Sequence, residues 1–153
     1  MPGPYLNSGV YSTRVTDNDT SQKEELGVLR FEGGKLYRYV KSGALIAAYS
    51  ALKLDVSAST AAAAMTQAVQ TSTDTDMFFG VNEVTMALNS FGWITVYGPA
   101  TARVTTGIVP GVALGTTNTT GILGIRQISH FSAAGLAVAS GLSAGSPIFI
   151  SVL

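Results

Sequence analysis

The clearest alternation of apolar and polar positions falls between Gly27 and Lys41. Val28 to Glu32 and Lys35 to Lys41 are β-prone runs separated by Gly33 and Gly34. A Gly-Gly connection tolerates the positive φ angles that a tight hairpin turn demands, so this stretch predicts a β-hairpin. In its second run Leu36, Arg38 and Val40 alternate with Lys35, Tyr37, Tyr39 and Lys41. One face therefore carries both tyrosines and the other carries Arg38 between two aliphatics, as in a half-buried strand whose lysines snorkel. Further on, Leu52, Leu54 and Val56 alternate with Lys53 and Asp55, which predicts another strand. Ala44 to Ala48 fits either a helix or a strand. Thr60 to Val69, rich in alanine, has the highest helix propensity in the chain, and Ser59 or Thr60 suits its cap.

From Met77 onward the pattern is all-β. Candidate strands are Met77 to Val84, Trp93 to Tyr97, Ala102 to Val104, Val112 to Leu114, Ile122 to Ile128 and Pro147 to Leu153. Glycine, serine and threonine punctuate them, with Gly98-Pro99 among the turn signals. Short strands between frequent turns predict a mainly β fold: a small β-barrel or sandwich with at most one short helix. No long internal repeat is visible, and Ser132 to Ser146 shows a mild bias to small residues.

Residues 1–26 read as an extended N-terminal arm and residues 27–153 as the β-rich domain. Pro2, Gly3, Pro4 and Gly9 resist regular structure, and Thr16 to Glu25 is a polar run. Between them Tyr5, Leu6, Val10, Tyr11 and Val15 offer apolar side chains without a sustained period. Two readings stay open for this segment: a disordered terminus, or an arm that orders on docking to another subunit.

Composition changes the picture in one respect. Of 153 residues only 12% are charged while 46% are hydrophobic, and nine basic residues balance nine acidic ones. There is no cysteine, which excludes a disulfide scaffold and a zinc–thiolate site. The neutral balance argues against a basic nucleic-acid binder, and the low charge against a charge-rich disordered chain. The charge is also graded: seven of the nine basic residues lie between Arg14 and Lys53, and every acid lies at or before Glu83. A charge-poor surface of this kind is expected to be covered by other protein. The start of the chain has no secretory signal pattern, and the longest apolar stretch, Ala44 to Leu54, is too short for a membrane helix of about 20 residues.

Candidate chemistry is sparse. His130 is the sole histidine, and no Gly-x-Ser-x-Gly elbow accompanies it. Asp17-Asn18-Asp19 opens like a calcium loop but lacks the glycine and distal glutamate. Asp74 and Asp76 offer oxygen ligands in a polar loop, and Glu24-Glu25 sit too close in sequence to flank a cleft. Gly107 to Gly111 and Gly121 to Gly124 have glycine spacing without the lysine of a phosphate loop. Arg30, Lys35, Arg38 and Lys41 with Tyr37 and Tyr39 resemble a nucleic-acid strand platform only superficially. The expectation is therefore no enzyme, no cofactor, no metal, no nucleic-acid partner, no membrane and no small-molecule substrate.

The run GVLRFEGGKLYRYVK (Gly27 to Lys41), followed by the alanine-rich Gly43 to Ala51, resembles the opening of small decoration (cement) proteins of tailed-phage heads. Gly92-Trp-Ile-Thr-Val-Tyr-Gly98 is similar to their recurring glycine-bounded aromatic strand, and Ala144 to Leu153 to their closing apolar strand. The resemblance implies a β-tulip fold assembled as a homotrimer on the outer surface of the capsid, made in the host cytoplasm. Its partner would be the major capsid protein, clamped so that the shell resists the pressure of packaged DNA. It further implies an N-terminal segment that grips the capsid, here with Tyr5, Leu6, Val10, Tyr11 and Val15. The polar stretch from Asp55 to Asp76 departs from the shortest members. Other readings are another virion structural module, of the tail, a fibre or the minor shell, and a carbohydrate-binding sandwich using Trp93, Tyr97 or Tyr37.

Overall fold

One long strand, Phe91–Ala102, runs through both halves of the molecule. The computed structural model describes residues 11–57, 60, 66–126, 135–138 and 145–151. Among these residues the chain is mainly β with no helix, a small β sandwich whose strands all belong to one mixed sheet. In order they are β1 (Asn18–Asp19), β2 (Leu29–Glu32), β3 (Lys35–Ser42), β4 (Ala51–Leu54), β5 (Gln67–Gln70) and β6 (Gly80–Val81). The long strand is β7, followed by β8 (Ala113–Thr116), β9 (Leu123–Ile125), β10 (Gly135–Ala137) and β11 (Ser146–Ser151).

The pairings close on themselves twice. β3 pairs β5, β5 pairs β4, β4 pairs β6, β6 pairs β7, and β7 pairs β3 again. All are antiparallel except β3 with β5. The second half of β7 then pairs β11, β11 pairs β10, β10 pairs β8 and β8 pairs β9. Leu123 of β9 bridges Val104, just past the end of β7, so this circuit also returns to its start. Closure removes most exposed edges.

Each circuit encloses apolar side chains. Val40, Ile46, Leu52, Ala68, Met86, Ile94 and Val96 fill the first, and Ala100, Ala102, Leu114, Leu123, Ile148 and Ile150 help to fill the second. Along β7 the even-numbered residues face these interiors, as the two-residue period of a strand requires. The odd-numbered residues face outward, yet Trp93 is only 1% exposed. A third cluster explains this: Tyr37, Tyr39 and Trp93 lie under Tyr11, Val15, Leu26 and Val28. β3 and the first half of β7 are therefore covered on both faces.

The hairpin forms where the alternation predicts it, with Leu29 opposite Arg38 and Glu32 opposite Lys35. Gly33 and Gly34 adopt φ of 59° and 77°, the left-handed pair that a two-residue turn needs. The tyrosine face is more deeply covered than a half-buried strand would be, since Tyr39 is fully buried.

Four expectations are corrected. Residues 61–65 of the expected helix lie outside the described residues, but Gln67–Gln70 is strand β5. Ladder bonds to β3 and β4 there outweigh helix propensity, which is weak support for so short a segment. Gly98-Pro99 is not a turn but lies inside β7, where Gly98 takes φ of 101° and a Cβ would meet the Gly34 carbonyl oxygen at 2.6 Å. Pro99 is tolerated because this half of β7 has β11 as its ladder partner and none in β3. Met77 to Val84 forms only the short β6, while β10 arises within the small-residue stretch, where no strand was expected.

The two segments that enter β4 and β7 have the same backbone design. Residues 42–51 and 82–91 each contain a bridging residue, Ile46 or Met86, and these two pair with each other. Each then reaches a positive-φ residue, Tyr49 at 64° and Asn89 at 60°, followed by a buried serine, Ser50 or Ser90. The bonds are reciprocal: Tyr49 N donates to the Asn82 carbonyl at 2.7 Å, and Asn89 N donates to the Ser42 carbonyl at 3.0 Å. Fully buried Asn82 locks the pair. Its Nδ2 donates to the carbonyls of Ala47 and Val84, both at 2.8 Å, and its Oδ1 accepts from Ser50 N at 3.1 Å. Replacing Asn82 by alanine strands one donor and two acceptors in the interior. The expected loss is about 3 kcal/mol of folding stability, read from urea denaturation. A loss below about 1 kcal/mol would show that water takes over those bonds.

Candidate interaction surface

The residues expected to bind a partner divide at the start of the described chain. Tyr5, Leu6 and Val10 lie outside the described residues. Tyr11 and Val15 lie on the body of the same chain, packed against the third cluster. The Tyr11 ring meets Trp93 edge-on with centroids 5.3 Å apart, and its hydroxyl donates to the Leu29 carbonyl at 2.8 Å. The Arg30 guanidinium stacks 4.8 Å from the Tyr11 centroid and donates to the Thr13 carbonyl at 2.6 Å. Such stacking of a planar cation on an aromatic face is itself favourable.

The rest of this segment is fixed equally closely. Trp93 Nε1 donates to Thr13 Oγ1 at 2.9 Å, a fully buried bond. One oxygen of Glu24 accepts from the backbone N–H groups of Ser12 and Thr13 at 2.7 and 3.2 Å and from both hydroxyls. Arg14 N donates to Asp17 Oδ2 at 2.7 Å, closing a turn before β1 joins the start of β7. Lys23 N donates to the Tyr39 hydroxyl at 3.2 Å, and burial pushes that phenol above its usual range. Residues 11–28 are thus a strap over the outward face of β3 and β7. Tyr11, the first described residue, is thereby held against the body. The signal for this was present in the sequence: two tyrosines and a tryptophan on outward strand faces require a cover.

A second concave surface lies at the far side of the first circuit. A groove of about 730 Å³ is bounded by Leu54, Val56, Val69, Met77 and Phe79, with Lys53 and Asp76 among its polar lining. Lys53 Nζ contacts Asp76 Oδ1 at 2.9 Å, and the other oxygen of Asp76 accepts from Ser72 N and Thr73 N at 2.6 and 2.8 Å. Burial favours the neutral acid, but these bonds outweigh it and lower Asp76 from 3.8 to about 2. The loop 72–76 is therefore tied by its own carboxylate. Nearby, hydrogen bonds from Ser57 lower Asp55, with a further contribution from Gln67.

The other residues singled out in the sequence are dispersed. His130 lies outside the described residues. Asp17 is engaged in its turn, and among the described residues no three of His, Asp and Glu gather closely enough to hold a metal ion. No described helix is long and apolar enough to cross a membrane. Lys35 pairs with Glu83 at 2.8 Å and Arg30 with Glu32 at 2.5 Å, so these two basic residues of the hairpin are tied within the chain. Of the aromatics considered for sugar stacking, Trp93 and Tyr37 are buried and Tyr97 lies edge-on to Phe149 at 5.4 Å.

Two outcomes follow from this geometry. Thr13→Val removes the buried acceptor of Trp93 and costs about 1–2 kcal/mol. Amide exchange should accelerate first in residues 11–19, well before global unfolding; uniform acceleration would mean that the strap is not a separable unit. Asp76→Asn is expected to be about 2 kcal/mol less stable than the parent near neutral pH. A carboxylate lowered on folding stabilises above its unfolded value of 3.8, and this is lost as pH falls towards 2. The gap between the two proteins in thermal unfolding should therefore close through that window.

No family model matches the chain, and no curated protein matches it in sequence. The fold is similar to the crystal structure of the head fiber gp8.5 N base in bacteriophage phi29, with a TM-score of 0.55. The likeness covers 75% of this chain and 92% of that one at 14% sequence identity, and at this identity it is a likeness of fold.

Proposed function

We propose that this protein is a structural component of a tailed-phage virion, a decoration protein that binds the outside of the head as a homotrimer and reinforces the shell. The observation that carries the reading is the fold shared with a phage head fiber base across nearly all of that chain. The order of the resembling motifs along the sequence supports it, and so does a charge-poor surface suited to being covered. The protein acts by binding and without turnover. The partner is the major capsid protein, and no cofactor takes part.

In this reading residues 1–10 are the gripping element and Tyr11 is their root. The strap contacts of Tyr11, Thr13 and Arg30 hold the point of departure fixed, so little orientational freedom is lost when the segment binds. An extended segment adds to an exposed sheet edge through main-chain bonds, with Tyr5, Leu6 and Val10 entering side-chain pockets. Three arms on one trimer raise the apparent affinity well above that of each site.

The same fold likeness also favours a second reading, in which the chain is the base of a head appendage. The two readings differ in what removal does to the shell. Heads lacking the protein should bind it saturably in co-sedimentation, and decorated heads should retain DNA to higher temperature. Saturable binding without any gain in head stability points to the appendage base instead. Deleting residues 2–10 should leave the body folded and reduce head binding by about tenfold or more. Unchanged decoration by the truncated protein would remove the gripping role of the arm. Failure of the intact protein to bind heads would overturn the virion reading itself.

A further inference from the structure

The hairpin joins Tyr11 to the groove of the first circuit. Leu29 stands opposite Arg38 and Phe31 opposite Leu36. Residues in register share one side of a sheet, so all four lie on the side that turns into the first circuit, where Leu36 packs against the apolar cluster. Arg38 carries this side onward: its guanidinium lies 5.2 Å from the centroid of Phe79, which lines the groove. Leu29 is 43% exposed and Phe31 66%, and in the groove Met77 is 74% and Val56 85% exposed. An apolar track thus runs from β2 to the groove, and exposed apolar side chains gathered in this way mark a contact surface. The charged groups along it are engaged within the chain. Arg38 Nε lies 3.4 Å from the Gly27 carbonyl, Lys53 pairs with Asp76, and Asp55 accepts from Ser57 and Gln67.

The chain itself supplies an occupant of matching chemistry. The Tyr11 hydroxyl bonds the Leu29 carbonyl, so residues 1–10 join the body beside the start of the track. β2 is an end strand, and among the described residues no further strand lies beyond it. Three contacts lead from the join to the groove: Tyr11 with Leu29, Leu29 with Arg38, and Arg38 with Phe79. Nine extended residues span about 30 Å, enough to cover these steps. Residues 2–10 include Tyr5, Leu6 and Val10 and no charged side chain, the first in the chain being Arg14. Such a segment enters an apolar groove without stripping water from a charge. Its short tether also presents it at an effective concentration on the order of millimolar, which a second copy in dilute solution does not match.

We infer that residues 2–10 dock along the track of their own chain, with Val10 beside Leu29 and Phe31 and with Tyr5 and Leu6 in the groove. The consequence rests on the proposed gripping role of this segment: a docked arm is held back from the capsid until a head displaces it. The apparent affinity for heads is then lowered in proportion to the fraction of arms that are free.

The test uses the full chain, whose lack of cysteine allows a single label. A nitroxide on Ser8→Cys in isotopically labelled protein should broaden the backbone amides of Phe31 and of residues 53–57 and 75–79, unchanged on dilution. Val56→Lys and, independently, Phe31→Lys, both at exposed positions, should cut this broadening to about half or less, as tenfold weaker docking takes a 10:1 equilibrium to 1:1. Amide positions in the two cores should stay as in the parent. An intact chain without broadening along the track overturns the inference, and broadening that persists in both lysine variants overturns this surface. Nitroxide-bearing protein mixed with isotopically labelled protein that carries no nitroxide should leave the latter sharp. Broadening in that mixture equal to that within one chain overturns docking on the same chain in favour of a second copy. None of these readouts involves heads, so failure here is distinguishable from failure of the virion reading.

Discussion

Burying the Asn82 amide in an aliphatic interior is costly unless each of its hydrogen-bonding groups finds a partner. The fold meets that requirement by bringing two turn segments, residues 42–51 and 82–91, into reciprocal contact around it. The consequence reaches far beyond one side chain. The first segment launches β4 and the second launches β7, so fixing them against each other fixes the two walls between which β6 is held. Once those walls are set, β5 closes the first circuit against β3. Polar satisfaction at one point thereby selects a topology that apolar contacts alone would leave less defined.

β7 then transmits this order outward. Its inward residues belong first to one core and then to the other, so the two circuits cannot be built independently. Its outward residues serve two different purposes. Trp93 with Tyr39 forms a platform that the strap of residues 11–28 must cover, whereas Pro99 and Tyr97 belong to a face that no described part of the chain covers. The same alternation that makes a strand half-buried here places an internal anchor and an open surface on one side of one element.

How much of this was legible in the sequence depends on where the determining signal resides. The hairpin was legible because Gly33-Gly34 and the flanking alternation carry the whole instruction locally. The first half of β7 was legible as the β-prone run Trp93 to Tyr97 that follows Gly92. Gly98-Pro99 misled because the pair normally marks a turn, while here the close approach of Gly34 requires the glycine. Gln67 to Val69, the end of the alanine-rich stretch, misled because the alanines before it favour a helix locally and the ladder on either side of β5 is non-local. The repeated turn segments were hidden because they share a backbone conformation and few side chains: Ala47 with Ala87 and Ser50 with Ser90 are identical, while Tyr49 and Asn89 are not. Of the candidate interaction site, Tyr11 and Val15 gave an apolar signal that was visible, but sequence alone did not distinguish an arm residue from the strap that roots it.

The charge gradient takes on a physical meaning once the circuits are in view. Acids and most bases lie on the strap, the hairpin, the first circuit and the loops beside it, where many are spent on internal ties such as Glu24 with Ser12 and Thr13, Lys35 with Glu83, and Lys53 with Asp76. The second circuit has almost none to spend.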